Sequence, residues 1–137
     1  MCWTGKKIRK VALNDIPVYK IGFYENEKSS TSYFQRFIYE VGKKYSSEVV
    51  LKCTYDDNVL IKEGLHSYSF KTELKKTIDF LIVRHKLRYV EGYPINEYKL
   101  CLAKIYCTIP RGAFYYENEL GEIVSNELVI DNIIKIE

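Results

Sequence analysis

No apolar run in this chain approaches the roughly 18 residues that a membrane-crossing helix needs, so no transmembrane helix is expected. Its first residues, Met1-Cys2-Trp3-Thr4-Gly5-Lys6, hold no hydrophobic stretch of the kind that marks a secretory signal. Cysteine is sparse and shows no CxxC pair among Cys2, Cys53, Cys101 and Cys107, whereas a zinc site needs ligands in close pairs. Cys101 and Cys107 fall on one face of one expected strand, about 20 Å apart, too far for a disulfide to each other. Without a secretory signal, reduced thiols in a cytoplasmic protein are the default. The common catalytic signatures are missing as well: there is no glycine-rich phosphate loop, Walker motif, Rossmann fingerprint, HExxH or G-x-S-x-G. That speaks against a common hydrolase, kinase or dehydrogenase. No cofactor or metal is implied.

Charge of one sign is also in short supply. Twenty-one basic and 18 acidic side chains give a net charge of +3 and a pI near 8.5. A nucleic-acid-binding domain is expected above a pI of about 9 with clustered Lys and Arg, so nucleic acid is not the expected partner. The densest basic stretch, Lys6-Lys7-Ile8-Arg9-Lys10, reads as a solvated edge, with a phosphate-contacting arm as the minority reading.

What is present is a single domain's worth of core. The chain has 137 residues, 47% of them hydrophobic, which suits one domain over residues 1–137 and lies far from the signature of disorder. Aromatic residues make up 15%, and 13 of them are tyrosines against one Trp and six Phe. Tyrosine favours strands and half-buried sheet faces, so the excess points first to a β-rich fold and only second to binding.

The pattern of elements follows. Residues 16–25 read as a strand, with Ile16, Val18 and Lys20 alternating with Tyr19, Ile21 and Phe23 and apolar character on both faces. Lys28–Ser32 is a polar turn or loop. Phe34–Val41 and, more weakly, Lys43–Cys53 are further strands, and a turn at Tyr55–Asn58 leads into a short one from Val59. Leu74, Ile78, Leu81, Ile82 and His85 form a stripe at the 3.6-residue period, which predicts one main helix over about residues 71–87, capped by Ser69 or Thr72. Arg84, His85, Lys86 and Arg88 suit its C-terminus. Lys99–Ile109 is a long strand with Cys101, Ala103, Ile105, Cys107 and Ile109 facing the core. Ala113–Glu117 pairs with Glu122–Ser125 across a turn ending in Gly121, and Leu128–Ile136 closes the chain. Several strands and one helix predict an α+β fold, an antiparallel or mixed sheet with that helix packed on one face.

Two segments carry chemistry worth weighing. Glu63-Gly64-Leu65-His66-Ser67-Tyr68-Ser69 joins an expected strand to the expected helix, where free backbone N–H groups favour anions. Its functional reading is a contact from His66, Ser67 or Tyr68 to a phosphate or carboxylate. Its structural reading, ranked first, is a Ser-stabilised turn with His66 bonded to backbone. In Pro110-Arg111-Gly112-Ala113-Phe114-Tyr115-Tyr116, a cation and two rings make a platform for a nucleotide-like ligand, against a plain turn leading into a hairpin. His66, Ser67, Tyr68, Arg111, Tyr115 and Tyr116 are therefore the candidate ligand-binding residues. His85 lies on the helix stripe as a core-margin residue, and no cysteine has the signature of a nucleophile.

Ile16-Pro17-Val18-Tyr19-Lys20, Val41-Gly42-Lys43-Lys44-Tyr45, Glu63-Gly64-Leu65-His66-Ser67-Tyr68 and Cys107-Thr108-Ile109-Pro110-Arg111-Gly112-Ala113-Phe114-Tyr115-Tyr116 stand in that order, the last leading into Gly121-Glu122-Ile123-Val124-Ser125. The layout resembles small uncharacterised proteins of gut Bacteroides-type bacteria and their phages. That resemblance spans most of the chain and carries no activity. It implies a phage or mobile-element accessory protein, cytoplasmic in a bacterial host or virion-associated. The leading functional expectation is a non-enzymatic binding module for a partner protein or a nucleotide-like ligand, with homo-oligomers as an option. A structural, virion-associated assembly protein is the second. The third is a small ADP-ribosyltransferase-like enzyme, for which Glu122 or Glu127 would be the acid.

Overall fold

In the computed structural model, residues 3–32, 37–71 and 102–136 are described. Six strands lie before residue 50: β1 (Trp3–Lys6), β2 (Lys10–Val11), β3 (Ile16–Asn26), β4 (Ser29–Ser32), β5 (Ile38–Glu40) and β6 (Lys44–Ser46). Next come β7 (Val50–Tyr55), β8 (Asn58–Glu63) and β9 (Leu65–Ser69). The last segment holds β10 (Leu102–Ile109), β11 (Phe114–Glu117), β12 (Glu122–Ser125) and β13 (Glu127–Lys135).

The described residues are all-β, 69% strand and without a helix, which corrects the α+β expectation. The stretch expected to form the main helix, about residues 71–87, lies outside the described residues beyond Lys71. The physical reason for the correction is that the strands cover one another. Ten strands form one antiparallel sheet along the path β2-β11-β12-β9-β3-β10-β13-β6, with β4 on β3 and β5 on β4. Its inner face gathers Ala12 from beside one end of that path, Val18, Ile105 and Ile123 from its middle, and Leu128 and Ile130 from near the other end, into one buried cluster. A sheet whose two ends contribute to one cluster is bent around it, so curvature supplies the cover that a helix was expected to give.

The second sheet covers part of the outer face. β1-β8-β7 sets Trp3, Val59 and Ile61 against Tyr116 and Val124 of β11 and β12. Trp3 Nε1–H donates to the Glu122 carbonyl at 2.9 Å, and the Trp3 and Tyr116 rings lie 6.0 Å apart. The buried indole thus satisfies its one donor while its body fills the small core.

β10 behaves as its alternation demands: Ala103, Ile105, Cys107 and Ile109 are buried on the inner face, and Lys104, Tyr106 and Thr108 are half-buried on the other. It pairs with β3 from Leu102↔Phe23 to Ile109↔Ile16. The other side of β3 changes partner along its length. Val18 and Tyr19 pair with Ser69 and Tyr68 of β9, while Gly22 to Asn26 pair with β4. Between these two ladders, residues 20 and 21 of β3 have no partner on that side among the described strands. Gly22 makes the handover possible, since a Cβ there would lie 2.5 Å from the Thr31 carbonyl oxygen. The segment 28–32, expected as a loop, is mostly strand β4, because its Ser and Thr side chains sit in the ladder rather than in a turn.

Candidate functional site

The six residues singled out from sequence do not converge on one surface. His66, Ser67 and Tyr68 belong to strand β9, not to a loop. The register Tyr116↔Val124↔His66 puts His66 and Tyr116 on the same outer face, two strands or roughly 10 Å apart. Tyr68 shares that face, its ring tilted against that of Tyr19 with centroids 5.5 Å apart. Ser67 and Tyr115 lie on the inner side. Arg111 is exposed in the turn after β10, its N–H donating to Asp15 Oδ1 at 2.9 Å. Burial, helped by the Lys20 charge, pushes the His66 imidazole down to about 4, so it is neutral at pH 7. Glu122 accepts from Asn118 Nδ2 through its side chain at 3.2 Å, and Glu127 is paired with Lys44 at 2.9 Å. Both carboxylates already have structural partners.

A different polar cluster lies inside the sheet. Val18, Lys20 and Gly22 share the inner face, so the Lys20 amine enters the core, with the residue only 9% exposed. Its Nζ donates to the His66 carbonyl and sits 4.9 Å from the centre of the Tyr39 ring. Ser67 follows His66, whose carbonyl the Lys20 amine binds, and alternation puts its side chain on the same inner face as Lys20. Ser67 is 2% exposed and its hydroxyl has no hydrogen-bond partner. Cys107 lines the same interior, its thiol pushed up to about 12 by burial. No carboxylate pairs with Lys20 among the described residues.

Lys20 is the residue that sequence reasoning passed over. The signal was there: a cation midway through Ile16–Phe23, in a strand apolar on both faces. What could not be seen is the ladder break that leaves the His66 carbonyl to a side chain.

The third feature is the set of sheet edges. Seven of the ten large hydrophobic side chains exposed among the described residues lie on or beside edge strands, which ties exposure to the edges rather than to the faces. They are Ile8, Val11 and Leu13 around β2, Phe37 and Ile38 at β5, and Leu51 and Tyr55 on β7. Among the described strands β7 pairs with β8 alone, and all five residues from Leu51 to Tyr55 are exposed. Its two-residue turn, Asp56-Asp57, makes Tyr55 and Asn58 the first hydrogen-bonded pair. Thr54, opposite Val59, therefore points its N–H and C=O away from β8. The register shifts between Leu51 and Cys53, so the regular part of the edge is Cys53–Tyr55.

Just before β7 the chain borders an open groove of about 630 Å³, where Val49, Val50 and Phe114 provide apolar wall and Glu48, Asn126 and Glu127 polar rim. Asn126 builds it: its N–H donates to the Phe114 carbonyl, its Oδ1 accepts from Phe114 N, and its carbonyl accepts from Ser47 N. Among the described residues, no group of three His, Cys, Asp or Glu side chains is placed to hold a metal ion. No protein-family model, curated protein or solved structure matches the chain.

Proposed function

We propose that the chain is a non-enzymatic interaction module, an accessory protein that takes an extended segment of a partner protein by strand addition at β7. The observation that carries this reading is the exposure of every residue from Leu51 to Tyr55 on a strand that, among the described strands, has a neighbour on one side only. An unpaired strand edge offers main-chain hydrogen bonds to an added strand, and side-chain pockets beside it give specificity. Here the exposed rings and aliphatic chains of Tyr55 and Leu51 flank the edge. An added strand follows the regular ladder from Tyr55 to Cys53 and, where the register shifts, turns towards the groove at Val49 and Phe114.

Proline at Thr54 tests it, because a proline is tolerated on an edge where the lost N–H faced solvent, yet it cannot accept a new strand there. Peptides selected from a displayed random library against the wild-type protein should bind Thr54→Pro at least about tenfold more weakly, the scale of a lost main-chain hydrogen bond with its neighbours. The thermal midpoint should hardly move. Equal binding by the two proteins, with selected peptides mapping elsewhere, would sink the β7 reading.

A further inference from the structure

Lys20 and Ser67 pose a problem that the edge strands do not touch. A lysine ammonium has three N–H donors. The His66 carbonyl takes one, and the Tyr39 ring face lies against the amine. That arrangement explains why a long polar side chain occupies the break between β9 and β4, since an orphaned carbonyl needs a donor. It leaves two things unexplained. The charge has no carboxylate against it among the described residues, although buried charges are paired almost without exception. The Ser67 hydroxyl, one residue on from the bonded His66 carbonyl and on the same inner face, makes no hydrogen bond, although a buried hydroxyl without a partner is destabilising.

One kind of group answers both. We propose that Lys20 and Ser67 form an oxyanion-binding site inside the curved sheet, for a small ligand bearing a carboxylate or a phosphate. The ammonium supplies the counter-charge through a charge-assisted hydrogen bond, and the Ser67 hydroxyl donates a second bond to the same anion. Burial lowers the Lys20 amine to about 8, which leaves it mostly protonated at pH 7 and ready for an anion. The same burial strengthens the attraction, because little water screens it. The site lies beside residues 20 and 21, where among the described strands β3 has lost β9 and not yet gained β4. Hydroxyl and aromatic groups of Tyr39 and Ser30 line that side of the interior, Ser30 already spending its hydroxyl on the Phe23 carbonyl at 2.7 Å. Metal-free binding of an acid group, without covalent chemistry, is all that this constellation is asked to do.

The test uses the whole chain and three probes: sodium acetate, sodium phosphate and, at matched ionic strength, sodium chloride. Ligand that binds only the folded state raises the thermal midpoint in a saturable way. The expected result is a saturable rise with acetate or phosphate over chloride, and which of the two acts tells a carboxylate ligand from a phosphate one. Lys20→Met should abolish the rise, and Ser67→Ala should weaken the affinity at least about tenfold, the worth of one charge-assisted hydrogen bond. Both variants remove a buried polar group and keep or reduce volume, and circular dichroism checks that they fold. No rise beyond chloride, or a rise that survives in Lys20→Met, would overturn the proposal. Peptide binding at β7 is read separately, so the two ideas fail independently.

Discussion

At the scale of single residues, Lys20 has a measurable signature in the anion-free protein. Its amine is lowered to about 8 from 10.5, chiefly by burial, with Cys107 opposing. Between those values the unfolded chain holds a proton that the folded protein has released, so folding becomes more favourable as pH rises through about 8. Cys107, raised to about 12 from 9.0, acts in the opposite sense above pH 9, and Tyr39, raised to about 12 from 10.0, does so above pH 10. The net gain is therefore confined to the interval from about pH 8 to 9 and amounts to roughly 1 kcal/mol. Denaturant melts across that interval should show the rise in the wild type and not in Lys20→Met. The variant trades that buried charge for a His66 carbonyl left without its donor, so the pH slope rather than the absolute stability is the readout. Part of this was legible beforehand. The strand around Lys20 and the inward set Ala103, Ile105, Cys107 and Ile109 follow from alternation alone. That the lysine turns into the core is set by the register of β3 against β9, β4 and β10, and no local pattern encodes a register between strands so far apart in sequence.

At the scale of elements, what was hard to see is what carries little hydrophobic signal. Strand β4 is Ser-Ser-Thr-Ser, which on composition is a loop, yet Ser30 is fully buried in it. The hairpin of β11 and β12 was clear because its turn ends in Gly121 and its arms alternate. The fold class went wrong for a related reason: a helical stripe at residues 74–85 outweighed the prospect that a sheet can close on its own curvature. The contact between β3 and β4 gives the sharpest element-level expectation. Gly22→Ala would drive a methyl group towards the Thr31 carbonyl at 2.5 Å, part of the ladder itself, and the Ser30 side-chain hydroxyl at 2.8 Å. Backbone cannot swing aside as a flexible side chain can, so the substitution should cost about 2 kcal/mol or more. Chemical denaturation would show it, and amide exchange should speed up first at β4 and β5. A cost near zero would mean that the close approach of β4 is looser than described.

At the scale of the whole molecule, the occupant of the β7 edge decides the state of assembly. Two copies could pair through it, and that arrangement would bring Cys53, now exposed, under cover. The register shift at Leu51–Cys53 works against such pairing, since an irregular, twisted edge is a poor match for itself over any length. The protein should therefore sediment as a monomer, with Cys53 alkylated as fast as a free thiol. A dimer with a protected Cys53 would make the second copy the occupant and would replace the partner segment proposed above.

The way the two sheets are tied together also bears on how the protein is made. The central ladder joins residues 16–23 to residues 102–109, and the Trp3 indole waits for the carbonyl of Glu122. A ribosome delivers these partners in order, roughly 5–20 residues per second, so β3 emerges several seconds before β10 exists to cover it. For that interval the nascent chain displays an eleven-residue strand apolar on both faces. Its β1-β8-β7 sheet can assemble meanwhile, but without Tyr116 and Val124 to close its core. Synthesis of this protein should therefore lean on chaperones that shield exposed strands, and its yield should respond more to their supply than its final stability would suggest.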